Sequence, residues 1–377
     1  RARLFMQWKR LDWPLLWDPF NLLELPAVPI TMFLDGQRVI RMLQPKLDRA
    51  SEITSRLSRL LSVGDAETTG HEEIPSPVPG PTHMSPPSTS TPLDWSDHAV
   101  ALALWGGTER LDEAVTASER AVGPDATGSL WFRHGVIARM RHDSPARRLD
   151  DFNVAVESWS RALDVDPNNY IWRRRLQQYG PTLTKPYAFF DWVPVARSDI
   201  EERGETPESL VVEPGGAEFA DPARSETPSA PGPPPPDHRI ALDEVPFVDV
   251  RGAVVPAAVR PGGLARIHLD MEPSPGKTAH WNNEAGPLHA WIDPPQGWKT
   301  DGAHVALDAP DSAVSGERRH VEFEIRSPDD AEPGTHEVEV VMLYAVCEDD
   351  TGVCLVRRRE VRVHVEVDLG AVALADG

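Results

Sequence analysis

Residues 131–140 read WFRHGVIARM, and residues 151–167 read DFNVAVESWSRALDVDP. Both runs carry a helical spacing of apolar residues. Trp131 stands four positions before Gly135 in the first run. In the second, Ala155, Trp159, Ala162 and Pro167 follow one another at steps of four, three and five. Small residues one turn apart let two antiparallel helices approach closely, Trp159 is large enough to fill the groove between them, and Pro167 stops the second helix. An ordinary helical hairpin with small-residue packing would carry the same pattern.

The offsets occur twice. Ala114, Ser118 and Ala121 repeat Ala155, Trp159 and Ala162 forty-one residues earlier. This stretch resembles a tetratricopeptide repeat, lengthened by some eight residues around 141–149. Helical signals resume at Ser96, a candidate N-cap. A third helix, YIWRRRLQQY, can be capped by Asn168 or Asn169 and is stopped by Gly180-Pro181. The resemblance implies an all-α module over 94–204 that holds a protein partner. Arg173, Arg174 and Arg175 are its candidate contacts to an acidic peptide, weighed against a solvated face that pairs with the protein's own carboxylates. Tyr170, Trp172, Tyr179, Tyr187, Phe189, Phe190 and Trp192 read as core sealing the last repeat, and VARSDIEERG as a final short helix.

Of 377 residues, 38 are proline, so long stretches lie outside regular structure. A formal charge of −21 opposes nucleic acid and anionic membrane as partners. No run of eighteen apolar residues occurs, so no membrane-spanning helix is expected. Two cysteines exclude a disulfide-framework fold, and without histidines nearby in sequence they make a poor zinc site. No metal and no cofactor is expected.

Residues 62–93 and 205–239 are dense in Pro and read as linkers, the second holding neighbouring domains apart through a polyproline run. Residues 1–61 open with the end of a helix, ARLFMQWKRL. Two apolar runs, 30–34 and 38–43, flank Asp35-Gly36 and predict a hairpin, and an amphipathic helix closes the segment. Strand, hairpin and helix entered through Val28-Pro29 resemble the C-terminal half of a thioredoxin or redoxin domain. That resemblance implies that Pro29 is the substrate-proximal proline, and that the chain starts inside its first domain, without the reactive cysteine.

From Ile240 the texture becomes all-β, with short alternating runs at sandwich spacing. Val338, Val340, Met342, Tyr344 and Val346 share one face; Val361, Val363, Val365 and Val367 share another. Opposing Cys347 to Cys354 brings both stripes to one side of a hairpin and both sulfurs to the other. Within disulfide reach, the pair is flanked by Glu348, Asp349 and Asp350 and by Arg357, Arg358 and Arg359. The run YAVCEDDTGVCLVRRREVRVHVEV, with AHWNNEAGPLHAWIDPPQGW before it, resembles the immunoglobulin-like N-terminal domain of the DsbD thiol:disulfide interchange family over 240–370. In that family the two hairpin cysteines pass electrons to other proteins, a role that would fall to Cys347 and Cys354. Their six intervening residues are one more than the family pattern.

The expectation is therefore a multidomain chain: a partial α/β thioredoxin-like segment, a tetratricopeptide-like helical module and an immunoglobulin-like sandwich. Together they imply a bacterial thiol-disulfide oxidoreductase of the cytoplasm or periplasm, served by a thiol-disulfide electron donor or acceptor. The rival reading is a non-catalytic tetratricopeptide scaffold.

Overall fold

The structure is a computed structural model that describes residues 1–12, 18–22, 32–34, 40–43, 81–88, 91–181, 190–210, 213, 233–237, 239–274, 276–349 and 352–371. Pro29, Tyr187, Phe189 and the helix expected to close the N-terminal segment lie outside them. The chain is mixed α/β, helical in its first half and β-rich in its C-terminal part.

Seven α-helices occur among the described residues: α1 (Ala2–Lys9), α2 (Pro92–Trp105), α3 (Leu111–Glu119), α4 (Gly128–His142), α5 (Asp151–Val165), α6 (Tyr170–Gln177) and α7 (Trp192–Glu202). The closest pairing is α4 with α5. A Cβ built on Gly135 would lie 2.5 Å from Trp159 Nε1 and 2.9 Å from the Ala155 carbonyl, so only glycine admits this approach. Ala155, Trp159 and Ala162 are wholly buried, and Ala114, Ser118 and Ala121 are buried at the equivalent places around α3. Asn169 is the cap of α6, accepting from Trp172 N at 3.2 Å. Ser96 does not cap α2: Thr91 does, accepting from Asp94 N ahead of a proline at the first helical position, and Ser96 is buried inside the helix. Trp172 and Tyr179 join the core as expected.

Contacts cross two of the expected boundaries. First, ARLFMQWKRL forms helix α1, which packs on α7: Leu4, Val193, Ala196 and Ile200 form a small core, and Trp8 stacks on Trp192. Phe20 and Leu22 also enter the main helical core. Second, the helices and the β-rich part are not held apart. Ala253 and Val255 belong to the helical core, and Asn153 on α5 donates to the Gly252 carbonyl at 2.7 Å.

A two-stranded pair, β1 (Met32–Leu34) and β2 (Ile40–Leu43), stands at the N-terminus, antiparallel as the Asp-Gly turn predicts. Among its described residues the β-rich part has eleven strands: β3 (Val248–Val255), β4 (Ala258–Val259), β5 (Leu264–Pro273), β6 (Ala279–Asn282), β7 (Leu288–Asp293), β8 (Lys299–Thr300), β9 (His304–Leu307), β10 (Val314–Ser315), β11 (Arg319–Arg326), β12 (Gly334–Glu348) and β13 (Cys354–Val367). A four-stranded sheet runs β3-β5-β11-β8. A seven-stranded sheet is built on the β12-β13 hairpin and includes one parallel pair, β13 with β4. One apolar core lies between the sheets, drawing Ile267, Leu269, Val321 and Phe323 from the first and Trp281, Val340, Met342 and Val365 from the second.

Strand alternation fixes what the other face of the four-stranded sheet carries. On β5, Ala265, Ile267, Leu269 and Met271 point to the core, which turns Arg266, His268, Asp270 and Glu272 outward. On β11, Val321, Phe323 and Ile325 point inward and His320, Glu322 and Glu324 outward. The helical layer covers this outward face, so a row of charges is buried between the layers.

Candidate functional site: a hairpin disulfide and a buried histidine–carboxylate cluster

The hairpin has the register expected from its valine stripes. Val338 opposes Val363, Val340 opposes Val361, and Cys347 opposes Cys354 at the end next to the connecting loop. The next position outward, Glu348 with Val353, carries a ladder bond (Glu348 N to Val353 O, 3.0 Å), which makes Cys347 and Cys354 a non-hydrogen-bonded pair. Their Cα atoms are 3.9 Å apart and their sulfurs are joined in a disulfide. The two sulfurs are unequal. Cys354 is exposed at the start of β13, whereas Cys347 is 5% exposed because β6 flanks it on its other side. In that pairing Cys347 opposes His280, so His280, Cys347 and Cys354 form one row across three strands, side chains on one face. His280 Nδ1 in turn contacts the Asp349 carboxylate.

Of the arginines on the return strand, Arg358 binds Glu360 at 2.5 Å and Arg359 donates to the Asp243 carbonyl at 2.9 Å. Asp243 also accepts from Tyr344 Oη at 2.6 Å, and burial together with that bond pushes the phenol's pKa up. Arg173 donates to the Pro167 carbonyl at 2.6 Å, Arg174 to Gln177 at 3.2 Å, and the Arg175 guanidinium lies over the Trp159 ring. These three contacts all lie within the helical layer.

The second constellation was not foreseen. His268 and Glu322 oppose each other across β5 and β11, as do Asp270 and His320, and Arg266 and Glu324. His268 Nδ1 lies 3.3 Å from Glu322 Oε1 and 3.4 Å from His320 Nε2, and His320 Nε2 lies 2.8 Å from the same Glu322 oxygen. The helical layer closes the cluster from above: His268 Nε2 reaches the Tyr179 carbonyl at 2.7 Å, and His142 Nε2 reaches Asp270 Oδ2 at 2.9 Å. Gly180 is packed against the Arg266 side chain, where its positive φ of 123° and the lack of room for a Cβ both require glycine.

Burial opposes every charge here, and the partners decide which survive. Burial lowers His268, so its ring stays neutral. For His320 burial also works against the imidazolium, but bonds to Asp270 and Glu322 outweigh it and lift the pKa to about 9. Asp270 and Glu322 are held well below the usual carboxylate range: burial resists, and the facing histidines prevail.

A cleft of about 590 Å³ also opens between α5 and the base of the hairpin, its wall including Glu157, Asp164, Glu366 and Asp368. Asp164 is raised by burial and by Asp368. No helix among the described residues is long and apolar enough to cross a membrane.

No family model matches the chain, and no curated protein matches it. Solved structures give faint similarity. A membrane-anchored protein from Corynebacterium diphtheriae aligns at 10% identity and a TM-score of 0.23, over 37% of this chain and 39% of that one. A cohesin from Clostridium thermocellum aligns at 12% and 0.20 (33% of this chain, all of that one), and the sporulation control protein Spo0M from Bacillus subtilis at 14% and 0.17 (33% and 50%). At these scores none bears on what the chain does.

Proposed function

We propose that this chain is a thiol-disulfide exchange protein working through Cys347 and Cys354, with the helical layer serving to hold a protein partner. The observation that carries the reading is a cross-strand disulfide at a hairpin end, one sulfur open to solvent and the other enclosed. An incoming thiolate attacks Cys354 Sγ, forming a mixed disulfide as the Cys347–Cys354 bond breaks. Cys347 leaves with the electron pair as a thiolate and takes a proton. A second thiol of the donor then attacks the mixed disulfide, so two electrons and two protons pass to the chain and the donor leaves oxidised. His280, next to Cys347 in the same row, is placed to supply the proton.

This reading takes residues 240–370 as a DsbD-like immunoglobulin-fold domain, 94–204 as a tetratricopeptide-like module and 1–61 as the thioredoxin-like segment to which Pro29 would belong. The Gly135–Trp159 contact supports the second assignment, and the opposition of Cys347 to Cys354 across the β12-β13 hairpin supports the first.

Thiol counting in glutathione buffers of graded potential is the test, paired with single serine variants. The Cys347→Ser chain should trap a mixed disulfide at Cys354, and Cys354→Ser should trap far less. A pair that stays oxidised in the folded protein under strongly reducing buffer would overturn the proposal. The scaffold reading has one observation in its favour, the cleft beside α5, whose wall sets four carboxylates against Arg161 and His364. It predicts binding of a basic peptide that is indifferent to both serine substitutions.

A further inference from the structure

We propose that His268 Nδ1, His320 Nε2 and Glu322 Oε1 are the protein ligands of a divalent transition-metal site, suited by donor type to zinc, at the joint between the four-stranded sheet and the helical layer. This is independent of the cysteine chemistry: the three atoms sit on the opposite sheet of the β-rich part, and no sulfur takes part.

Geometry comes first. A tetrahedral zinc with bonds of about 2.0–2.1 Å spaces its ligand atoms roughly 3.3–3.4 Å apart. Two edges of the triangle, at 3.3 and 3.4 Å, already have that length, and the third, at 2.8 Å, needs to open by about half an ångström to reach it. Two imidazole nitrogens with one carboxylate oxygen form a set that favours zinc and its neighbours over magnesium or calcium, which prefer oxygen alone.

Each donor is also aimed from behind. With Nε2–H given to the Tyr179 carbonyl at 2.7 Å, His268 turns Nδ1 to the centre. His320 gives Nδ1–H to Asp270 Oδ1 at 2.8 Å and turns Nε2 inward to Glu322 Oε1, so an entering metal takes the place of the Nε2 proton, which is released on binding. Glu322 has its other oxygen, Oε2, bound by Arg266 Nε at 2.8 Å, so Oε1 is the oxygen turned towards the two histidines. A carboxylate or carbonyl behind each ligating histidine is the usual support of a metal site. All three residues stand on two adjacent strands in fixed register, a more rigid frame than a loop provides.

Access is provided on one side. His268 and Glu322 are closed off, with side chains about 4% exposed, while the His320 side chain is 33% exposed. A cation enters past His320, and a water completes the fourth position there.

The test uses the full chain, stripped with chelator and titrated calorimetrically with zinc chloride, with magnesium chloride in parallel. One equivalent of zinc at micromolar or tighter affinity, none of magnesium, and a melting temperature raised by excess zinc are expected. His320→Gln, at the open edge, should weaken zinc binding at least tenfold. His289→Asn with His304→Asn removes the stacked histidine pair of β7 and β9, a competing surface site whose ring nitrogens are 3.0 Å apart, and should change nothing. If a variant fails to fold, cobalt(II) replaces zinc in the unaltered chain, and the intense visible bands of a tetrahedral histidine site are the readout. Weak or non-stoichiometric zinc binding, loss of binding in the β7/β9 variant instead, or a pale octahedral cobalt spectrum would overturn the assignment and leave the cluster a purely ionic joint.

Discussion

Replacing Gly135 by alanine sets two known effects against each other. In an open helix the change is favourable by about 1 kcal/mol, because alanine loses less backbone freedom than glycine. At this position the new methyl carbon would lie 2.5 and 2.7 Å from two atoms of the Trp159 ring and 2.9 Å from the Ala155 carbonyl oxygen. The ring is fully buried and stacked on Tyr179, and the carbonyl is backbone of the facing helix, so neither yields without moving a neighbour. Overpacking of this kind costs ~1–3 kcal/mol, and the backbone contact puts the cost near the upper end. The net expectation is a loss of about 1–2 kcal/mol, read as an earlier urea midpoint in the helical far-ultraviolet signal. Trp159→Leu should itself be costly, but in that background Gly135→Ala should become neutral or stabilising, with a coupling of ~1–3 kcal/mol between the two sites. A Gly135→Ala chain more stable than its parent would refute the close α4–α5 contact.

Reducing the disulfide should lower unfolding stability by ~2.5 kcal/mol on loop closure alone, measured by urea titration with and without reductant. This is about 2 kcal/mol less than a 100-residue loop would gain, so equilibration with glutathione should place the couple at least ~45 mV above such a bridge. His134 is buried against Ser118 and lowered to about 4, chiefly by burial and then by Arg141, with Glu157 opposing. Its contribution is therefore present above pH 6.5 and lost as pH falls through 4, by up to ~3 kcal/mol, and His134→Gln should flatten that acid limb of the stability profile. Tyr344→Phe removes the bond to Asp243 and leaves a buried carboxylate one donor short; a loss of ~1–3 kcal/mol is expected, and an unchanged melting temperature would refute the bond.

What could be read in the sequence was whatever depends on periodicity. The offsets around Gly135 and Trp159 located a tight helix pair, and the parity of the valine stripes set the hairpin register down to the opposed cysteines. The histidine–carboxylate cluster was missed for a physical reason. Its members alternate with core residues, as in IHLDM and HVEFEI, and a polar residue at every second place of a strand ordinarily means a wet face. The usable signal was the complementarity that appears once the two runs are laid antiparallel, Arg266 to Glu324, His268 to Glu322 and Asp270 to His320. Sequence also gave no hint that α1 would pack on α7, two helices more than 180 residues apart, because a short apolar stripe does not name its partner. Similarly, the unequal exposure of Cys347 and Cys354 comes from β6, which neighbours the hairpin in space only.

The buried row of charges on β5 and β11 has a consequence for how such a chain is put together. A joint lined with leucine leaves both halves adhesive when parted. This one leaves, on the β-rich side, arginine, histidine and carboxylates already paired across neighbouring strands, a surface that water accepts. Beside Ala253 and Val255, which join the helical core, the parted β-rich face would thus present charge to water, so a fragment without its helical cover should aggregate less than one parted from a leucine-lined joint.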